Sequence, residues 1–463
     1  MGAAATDAHG TLLRGRRQEL HARVAAVLEA DFADLALDRP EVLAHHHMQA
    51  RSIDRAVFYL TKAGLKALEG SAMSEAASQL AKARDLMVVL PAGGERSAQE
   101  LALLTALGRA LTASKGYAAP ETGQAYARAR RLCEDLGDVT TLVRVGYGQY
   151  LYHLIRAEIG ECHRVAEEIL AFAEKTRSDE ARILGCRTLG VSLFESGQLE
   201  AARVQLEVAS GLLEEQRQRG AAFVAAFQGY ADQAARIRDL SVREANSTTS
   251  LHSRVFGLAF AAGTCCVLRQ YDDLLTRADA ICALATELNF PFMLAWGMAF
   301  RGIAELHAGT GRGQAAWDGL ALYQQTNSKW ALPFWFGCYV SVQRHPSDET
   351  ISMIQQGLDA IEATGERWFE AELYRLRGNF ARSFPREDDR HAEQDFETAM
   401  RIAALQGAKL LELRATTSLA RLWSEHGRRK EARELLAPLY SWFTEGFDIT
   451  DLKEARTLLT ALA

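Results

Sequence analysis

The amino-acid sequence predicts an all-α fold, a right-handed α-solenoid built from antiparallel helix pairs. Three observations lead to this prediction. Apolar residues recur at helical spacing along almost the whole chain, only 8 of the 463 residues are prolines, and one pattern of small and apolar residues recurs at fixed offsets. Few prolines permit long helices. Stacked helix pairs bury a continuous core in a chain of this length without separate large domains.

Helical spacing begins near the start of the chain. Leu20, Val24, Val27 and Leu28 make an i, i+4, i+7, i+8 stripe, which is typical of one face of a helix. A second stripe follows within residues 54–68, and no segment alternates apolar and polar residues as a strand would. Short segments rich in Gly, Asn, Asp or Ser separate the periodic stretches. The pattern therefore predicts helices joined by short turns.

The clearest repeat lies at residues 186–209. A glycine in its first predicted helix lets the second helix approach closely, a second glycine supplies the turn, and small residues keep the second helix thin. The spacing resembles the 34-residue tetratricopeptide repeat. The residues predicted to pack within this repeat are Leu189, Gly190, Gly197, Ala202, Leu206 and Ala209.

Further copies of the pattern predict that the repeat extends along the chain. One copy near the C-terminus keeps the same offsets, and another has a longer turn. The residues predicted to pack in these two copies are Gly378, Ala392, Phe396, Ala399, Gly427 and Ala432. Because each helix pair must bury its apolar face on the next pair, recurrence in a helical chain favours a solenoid of roughly nine or ten pairs.

Composition limits the partners and the compartment. A net charge of -6 provides no basic footprint for nucleic acid or anionic lipid, so neither is expected as a partner. The sequence has no apolar run of about 18 residues, so no membrane-spanning helix is expected. The 7 cysteines are odd in number and form no C-x-x-C pair, which is typical of reduced, buried thiols in a cytoplasmic protein.

The sequence predicts no catalytic, cofactor-binding or metal-binding residues. His45, His46 and His47 are consecutive, and consecutive residues on a helix point about 100° apart, so all three cannot converge on one ion. No phosphate-binding loop of the form G-x-x-x-x-G-K-[ST] is present. We therefore expect a protein that is not an enzyme.

An aromatic segment at residues 292–339 contains four of the seven tryptophans. Two interpretations stay open: the rings fill gaps between repeats, or some line a groove and bind a peptide or small ligand. Trp296 shares a helix face with other rings and is expected in the core, whereas Trp330, just before Pro333, is expected to be exposed. The candidate binding residues are Trp317, Trp330, Trp335 and Tyr339.

Several segments resemble a bacterial family. They are similar to the C-terminal tetratricopeptide region of large predicted ATPases that are often fused to class III adenylate or guanylate cyclase domains. The matching segments are 16–23, 44–46, 365–373, 406–409, 412–423, 442–448 and 451–455. The resemblance implies a sensor or assembly region whose partners include a cyclase or ATPase signalling module. The catalytic motifs of those domains match nothing in this sequence.

The resemblance and the repeats together predict the domain organisation. Residues 1–50 are expected to form an N-terminal helical segment that caps the solenoid and is similar to the junction between ATPase and tail. Residues 51–463 are expected to form the tetratricopeptide-like solenoid, with a C-terminal capping helix from Asp451 to Leu462. The expected function is a non-catalytic scaffold or regulatory region that binds proteins. The alternative is a small-ligand sensor with its effector near residues 292–339.

Overall fold

A computed structural model describes residues 2–70, 72–211, 219–247, 251–311, 313–343, 347–382 and 389–463. Within these residues the chain contains helices and no strand, so the predicted all-α class is confirmed. The chain divides into two compact units, unit 1 at Met1–Tyr152 and unit 2 at His153–Ala463. This division differs from the boundary after residue 50, which stays a prediction about the repeats.

Unit 1 contains eight helices among its described residues, the last of which runs into unit 2. They are α1 (Gly2–Asp31), α2 (Ala33–Asp38), α3 (Pro40–Gln49), α4 (Ile53–Glu69), α5 (Met73–Met87), α6 (Gly94–Lys115), α7 (Pro120–Leu136) and α8 (Val139–Ile155).

Unit 2 contains sixteen further helices among its described residues. They are α9 (Ile159–Thr176), α10 (Asp179–Glu195), α11 (Leu199–Gly211), α12 (Arg219–Phe227), α13 (Ala231–Ser247), α14 (Leu251–Val267), α15 (Tyr271–Glu287), α16 (Pro291–Ala308), α17 (Gln314–Gln325), α18 (Leu332–Ser341), α19 (Asp348–Thr364), α20 (Glu370–Ala381), α21 (Asp389–Gln406), α22 (Lys409–Glu425), α23 (Arg429–Trp442) and α24 (Thr450–Ala461).

Local chemistry determines several helix ends. The Ser178 side chain accepts the Ala181 N–H at the start of α10. Ser347 and Thr350 form a reciprocal capping box at the start of α19, which satisfies N–H groups that have no partner inside the helix. At the other end of α19, Gly365 adopts φ +75°, a left-handed conformation that costs glycine little. At these three helix ends, particular residues account for the start or end of the helix.

The helices of unit 2 pack as consecutive pairs. The first helix of each pair contacts its own second helix and the first helix of the next pair, as in the series α12, α14, α16, α18, α20 and α22. The series bends back on itself, because α12 also contacts α22. The first helices of later pairs therefore occupy much of the inner face that the first helices of earlier pairs present.

Glycines on the first helices allow close contact within a pair. A Cβ atom built on Gly190 would lie 2.8 Å from Leu206 Cγ, and one built on Gly378 would lie 2.7 Å from Phe396 Cε1. Both distances are shorter than carbon atoms tolerate. Among the predicted packing residues, those fully buried on second helices are Ala202, Leu206, Ala209, Ala392, Phe396, Ala399 and Ala432.

Gly190→Leu is expected to destabilise unit 2 by about 1–3 kcal/mol, because the added side chain overpacks the contact between α10 and α11. Urea unfolding followed by circular dichroism measures the loss. Gly160→Leu on α9 is the matched control, because a Cβ atom there meets nothing within 4 Å. If both variants unfold at the parent's urea midpoint, Gly190 is not a packing position.

Candidate functional site

The aromatic segment lies in the interior of unit 2. Trp335 is 1% exposed, and its ring centroid lies 4.7 Å from that of Phe300 and 5.2 Å from that of Trp296. Trp317 is half-buried and pairs with Tyr339 at 5.3 Å. The structure therefore separates the four candidate residues into two groups, Trp330 and Trp335 in one ring cluster and Trp317 with Tyr339 in a second pair, of which only Trp317 is partly exposed. Whether any of them binds a partner stays a prediction.

The expectation that Trp330 is exposed is wrong. Trp330 is 8% exposed, and its ring packs on Trp296 at 5.4 Å and on Phe260 of α14 at 6.4 Å. Its backbone N–H donates to the carbonyl of Ile155 at 3.1 Å. The physical reason is the bend of the repeat series, which brings the start of α18 against earlier first helices.

Two buried glutamates adjoin the aromatic cluster, and sequence patterns did not indicate them. Glu195 and Glu366 are each 1% exposed. Glu366 accepts N–H groups from Ala331 and from the Trp368 ring, both at 3.0 Å, whereas Glu195 Oε2 has no hydrogen-bond partner among the described residues. Burial raises the pKa of Glu366 to about 8. Burial and the nearby Glu366 raise the pKa of Glu195 well above its ordinary value.

The buried carboxyl groups predict a pH dependence of stability. The Glu366 pKa of about 8 lies above the ordinary 4.5, so the folded chain keeps a proton that the unfolded chain loses. Its contribution to the free energy of unfolding is therefore full below pH 4.5 and is lost as pH rises through 8. Urea midpoints at pH 5, 6.5 and 8 should show the parent losing stability relative to Glu366→Gln as pH rises, on the scale of about 1 kcal/mol per pH unit.

The exposed glutamate of α21, Glu397, provides the control for this measurement. Glu397→Gln should track the parent at all three pH values, because the substitution lies on an exposed helix face and removes no buried group. A constant difference between the parent and Glu366→Gln would mean that Glu366 is already ionised in the folded chain at pH 5.

A polar cavity of about 330 Å³ lies elsewhere in unit 2 and is the candidate functional site. Its walls come from the end of α14, the start of α15, and helices α18, α20, α22 and α24. Most of these are first helices of successive pairs, so the cavity lies on the inner face of the repeats. The aromatic segment reaches its wall only through Cys338, since the four candidate aromatic residues are not part of the lining.

Two stripes of mainly polar residues, on the neighbouring helices α20 and α22, line this cavity. On α20 four of the lining residues are spaced i, i+3, i+4 and i+7, and on α22 the same spacing recurs, so each set lies on one helix face. The stripe residues are Glu372, Arg375, Leu376 and Asn379 on α20, and Arg414, Thr417, Ser418 and Arg421 on α22. The shared spacing is the signal in the sequence that could have indicated the cavity.

A network of buried ion pairs holds the cavity wall together. Arg414 donates to both carboxylate oxygens of Asp451 at 2.9 and 3.0 Å, and to the carbonyl of Val267 at 2.5 Å. Arg269 contacts the same carboxylate at 3.2 Å. Glu372 accepts two hydrogen bonds from Arg375 at 2.7 and 2.9 Å. These contacts join the capping helix α24 to α14 and α22.

The pKa values of the wall residues follow from these pairs. Burial alone would raise the pKa of Asp451, but the charge and hydrogen bonds of Arg414, supported by Arg269, hold it below its ordinary value. Burial would likewise raise the pKa of Glu372, and Arg375 with Arg414 lowers it. Both acids are therefore carboxylates at neutral pH, and the wall presents fixed charges of both signs.

The structure gives little support to a metal site at the histidines, to reactive cysteines or to a membrane-spanning helix. His21 and His46 lie 2.9 Å apart between their Nδ1 atoms, yet within the described part of the chain no group of His, Cys, Asp or Glu could hold a metal ion. All seven cysteines are buried free thiols. No helix among the described residues is both long and apolar enough to cross a membrane.

Comparison with solved structures identifies the fold. The crystal structure of a Rap protein complexed with Competence and Sporulation Factor matches 80% of this chain and all of its own chain, with a TM-score of 0.50 and 15% identity. Yeast Tom70 matches 95% of this chain and 96% of its own, at a TM-score of 0.34 and 9% identity. The fold is a tetratricopeptide-like helical-repeat solenoid.

Comparison with known sequences finds a distant relative. No protein-family model matches the chain. An uncharacterised protein of Rhizobium meliloti (strain 1021) is 23% identical over 446 residues, which are 91% of this chain. The chain spans 43% of the length of that relative. The sequence comparison shows a longer distant relative and assigns no activity.

Proposed function

We propose that this chain is a non-catalytic helical-repeat scaffold that binds a short segment of a protein partner in the polar cavity of unit 2. The observation that carries the proposal is the cavity itself, about 330 Å³ in volume and lined by the mainly polar stripes on the neighbouring helices α20 and α22. This volume lies at the small end of the range for ligand pockets, so it suits a few residues rather than a folded domain.

Two further observations support this function. The Rap protein that shares the fold was crystallised with a bound factor, so a related arrangement of helices accommodates a ligand in that protein. The segments 365–373, 412–423 and 451–455, which carry the family resemblance, contribute Glu372, Arg414 and Asp451 to this cavity.

A soluble pool of random pentapeptides tests the proposal. The purified full chain is immobilised, and the retained peptides are identified by mass spectrometry. We expect the parent chain to enrich peptides that share a sequence feature, and Ser418→Trp to abolish the enrichment by filling the cavity. Ser352→Trp, on the exposed face of α19, is the matched control and should retain the parent's peptides. Enrichment that is absent with the parent, or unchanged in Ser418→Trp, contradicts binding in the cavity.

The family resemblance supports a finer proposal about the partner, namely a cyclase or ATPase signalling module. The greater length of the Rhizobium relative is compatible with such a module in related proteins. Affinity capture from the native cell should then recover an ATPase or cyclase chain with the parent and with Ser352→Trp, but not with Ser418→Trp. Recovery of only unrelated proteins would contradict this finer proposal and leave the cavity proposal standing.

The alternative function, a small-ligand sensor near residues 292–339, is favoured by one observation. The cavity has the volume of a small-molecule site and is bounded on one side by Cys338, Val340 and Ser341 of α18. An effector would then bind beside the end of the aromatic segment rather than among its rings. Binding of a small molecule in place of the peptides would favour this alternative.

A further inference from the structure

The cavity wall carries one more positive charge than negative charge. Four arginines and three carboxylates line it. Each carboxylate already has an arginine: Asp451 has Arg414 and Arg269, Glu372 has Arg375, and Glu454 lies 3.0 Å from Arg269. Arg421 lines the cavity, is exposed, and has no carboxylate partner among the described residues. The positive charge of Arg421 is therefore available to a ligand.

A buried hydroxyl group lies beside that charge. Thr417 is 5% exposed and lines the cavity, and its Oγ1 has no hydrogen-bond partner among the described residues. Its neighbour Thr416 donates instead to the helix carbonyl of Glu412 at 2.7 Å. A buried hydroxyl without a partner costs free energy, so a ligand atom that accepts or donates there would be favoured. Thr417 and Arg421 are four residues apart and share one face of α22.

The same stripe runs from solvent to the interior. Arg421 is exposed, whereas Ser418, Thr417 and Arg414 are 7, 5 and 9% exposed. Arg375 on the neighbouring helix α20 is held in place by two hydrogen bonds to Glu372, which leaves further N–H groups of its guanidinium for other acceptors. An anion that enters at Arg421 would thus meet fixed donors as it moves inward.

The remaining lining residues limit the kind of anion. Val267, Phe369, Leu376 and Phe380 contribute apolar surface to the cavity. The three carboxylates in the wall oppose a dianion such as phosphate, because only one positive charge is in excess. A single carboxylate joined to a small apolar group satisfies both conditions.

We infer that the cavity binds a monocarboxylate with an adjoining apolar group, with its carboxylate on Arg421 and Thr417 and its apolar part against α20. This inference deepens the proposed function, on which it rests for the use of the cavity as a binding site. Two sources offer this chemistry: the C-terminal residue of a peptide, or a small free organic acid.

The experiment uses the full chain and three probes: the pentapeptide pool as free acids, the same pool as C-terminal amides, and hexanoate. Peptide retention is measured by mass spectrometry and hexanoate binding by calorimetry at pH 7. We expect the free-acid pool to be retained at least tenfold better than the amide pool. Arg421→Gln should remove that difference, and Thr417→Val should reduce it, whereas Arg433→Gln, an exposed arginine of α23, should not change it.

The outcomes separate the two proposals. If free-acid peptides are retained better than amides and hexanoate binds more weakly, the source of the carboxylate is a peptide C-terminus. If hexanoate binds in a way that depends on Arg421 and no peptide is retained, the ligand is a small acid, and the peptide-binding proposal is overturned. Equal retention of the free-acid and amide pools overturns the carboxylate inference but leaves the peptide-binding proposal standing. If none of the three probes binds, or if Arg421→Gln binds the acids as the parent does, the carboxylate inference is wrong.

Discussion

Asp451→Ala is expected to destabilise unit 2 by about 3–5 kcal/mol, because the buried Arg414 loses the carboxylate to which it donates and keeps only Glu372, at 3.6 Å. Asp451 and Arg414 are 4 and 9% exposed, and two hydrogen bonds join them. A buried charge that loses its partner keeps the cost of its own desolvation, which is why the loss exceeds that of a surface pair. The urea midpoint of the parent and the variant, followed by circular dichroism, measures the effect.

The exposed pair Lys430–Glu434 provides the control. These side chains are 88 and 66% exposed and lie 3.8 Å apart, so Glu434→Ala should change stability by less than about 1 kcal/mol. The double variant Arg414→Met with Asp451→Leu should recover part of the loss, because it removes both charges together. A loss for Asp451→Ala as small as that for Glu434→Ala would show that the wall is hydrated and that Arg414 is not buried in solution.

The all-α class and the repeating helix pair could be predicted because both depend on residues that are close together in the sequence. A helical face requires apolar residues three or four positions apart, and a helix pair requires a small residue opposite a larger one, as with Gly190 and Leu206. Burial depends on more distant contacts. Leu20 and Val24 of the predicted stripe on α1 are 52 and 40% exposed, while Ala25 on another face is fully buried. Of the stripe residues, Leu28 packs against the core, so the stripe predicted the helix but most of its side chains do not mark the face that packs.

The cavity could not be predicted because its residues come together only when distant repeats meet. Arg269 contacts Asp451 across 182 residues of sequence, and Arg414 reaches the carbonyl of Val267 across 147. In one dimension the polar stripes on α20 and α22 look like solvated faces. The stripe on α22 is not a solvated face, because α22 is a first helix that packs against α12, α20 and α24. The same bend explains the burial of Trp330, since it covers the inner face on which an exposed ring was expected.

Trp335→Ala is expected to destabilise unit 2 by about 3–5 kcal/mol, the range for removing a large aromatic side chain from a core. Trp335 is 1% exposed, and its ring contacts those of Phe300 and Trp296, with centroids at 4.7 and 5.2 Å. Truncation leaves a space that rigid rings cannot close, so the contacts of the neighbouring rings are lost together. Urea unfolding followed by tryptophan fluorescence and circular dichroism measures the loss.

Trp442→Ala separates the effect of burial from the effect of losing a tryptophan. Trp442 is 40% exposed at the end of α23, so its loss should cost clearly less than that of Trp335. The comparison also decides between the two interpretations of the aromatic segment. If the ring of Trp335 only fills the core, the folded fraction of Trp335→Ala should retain the pentapeptides that the parent retains. If the variant instead unfolds at the parent's urea midpoint but loses those peptides, the ring of Trp335 is a binding residue and does not serve only to fill the core.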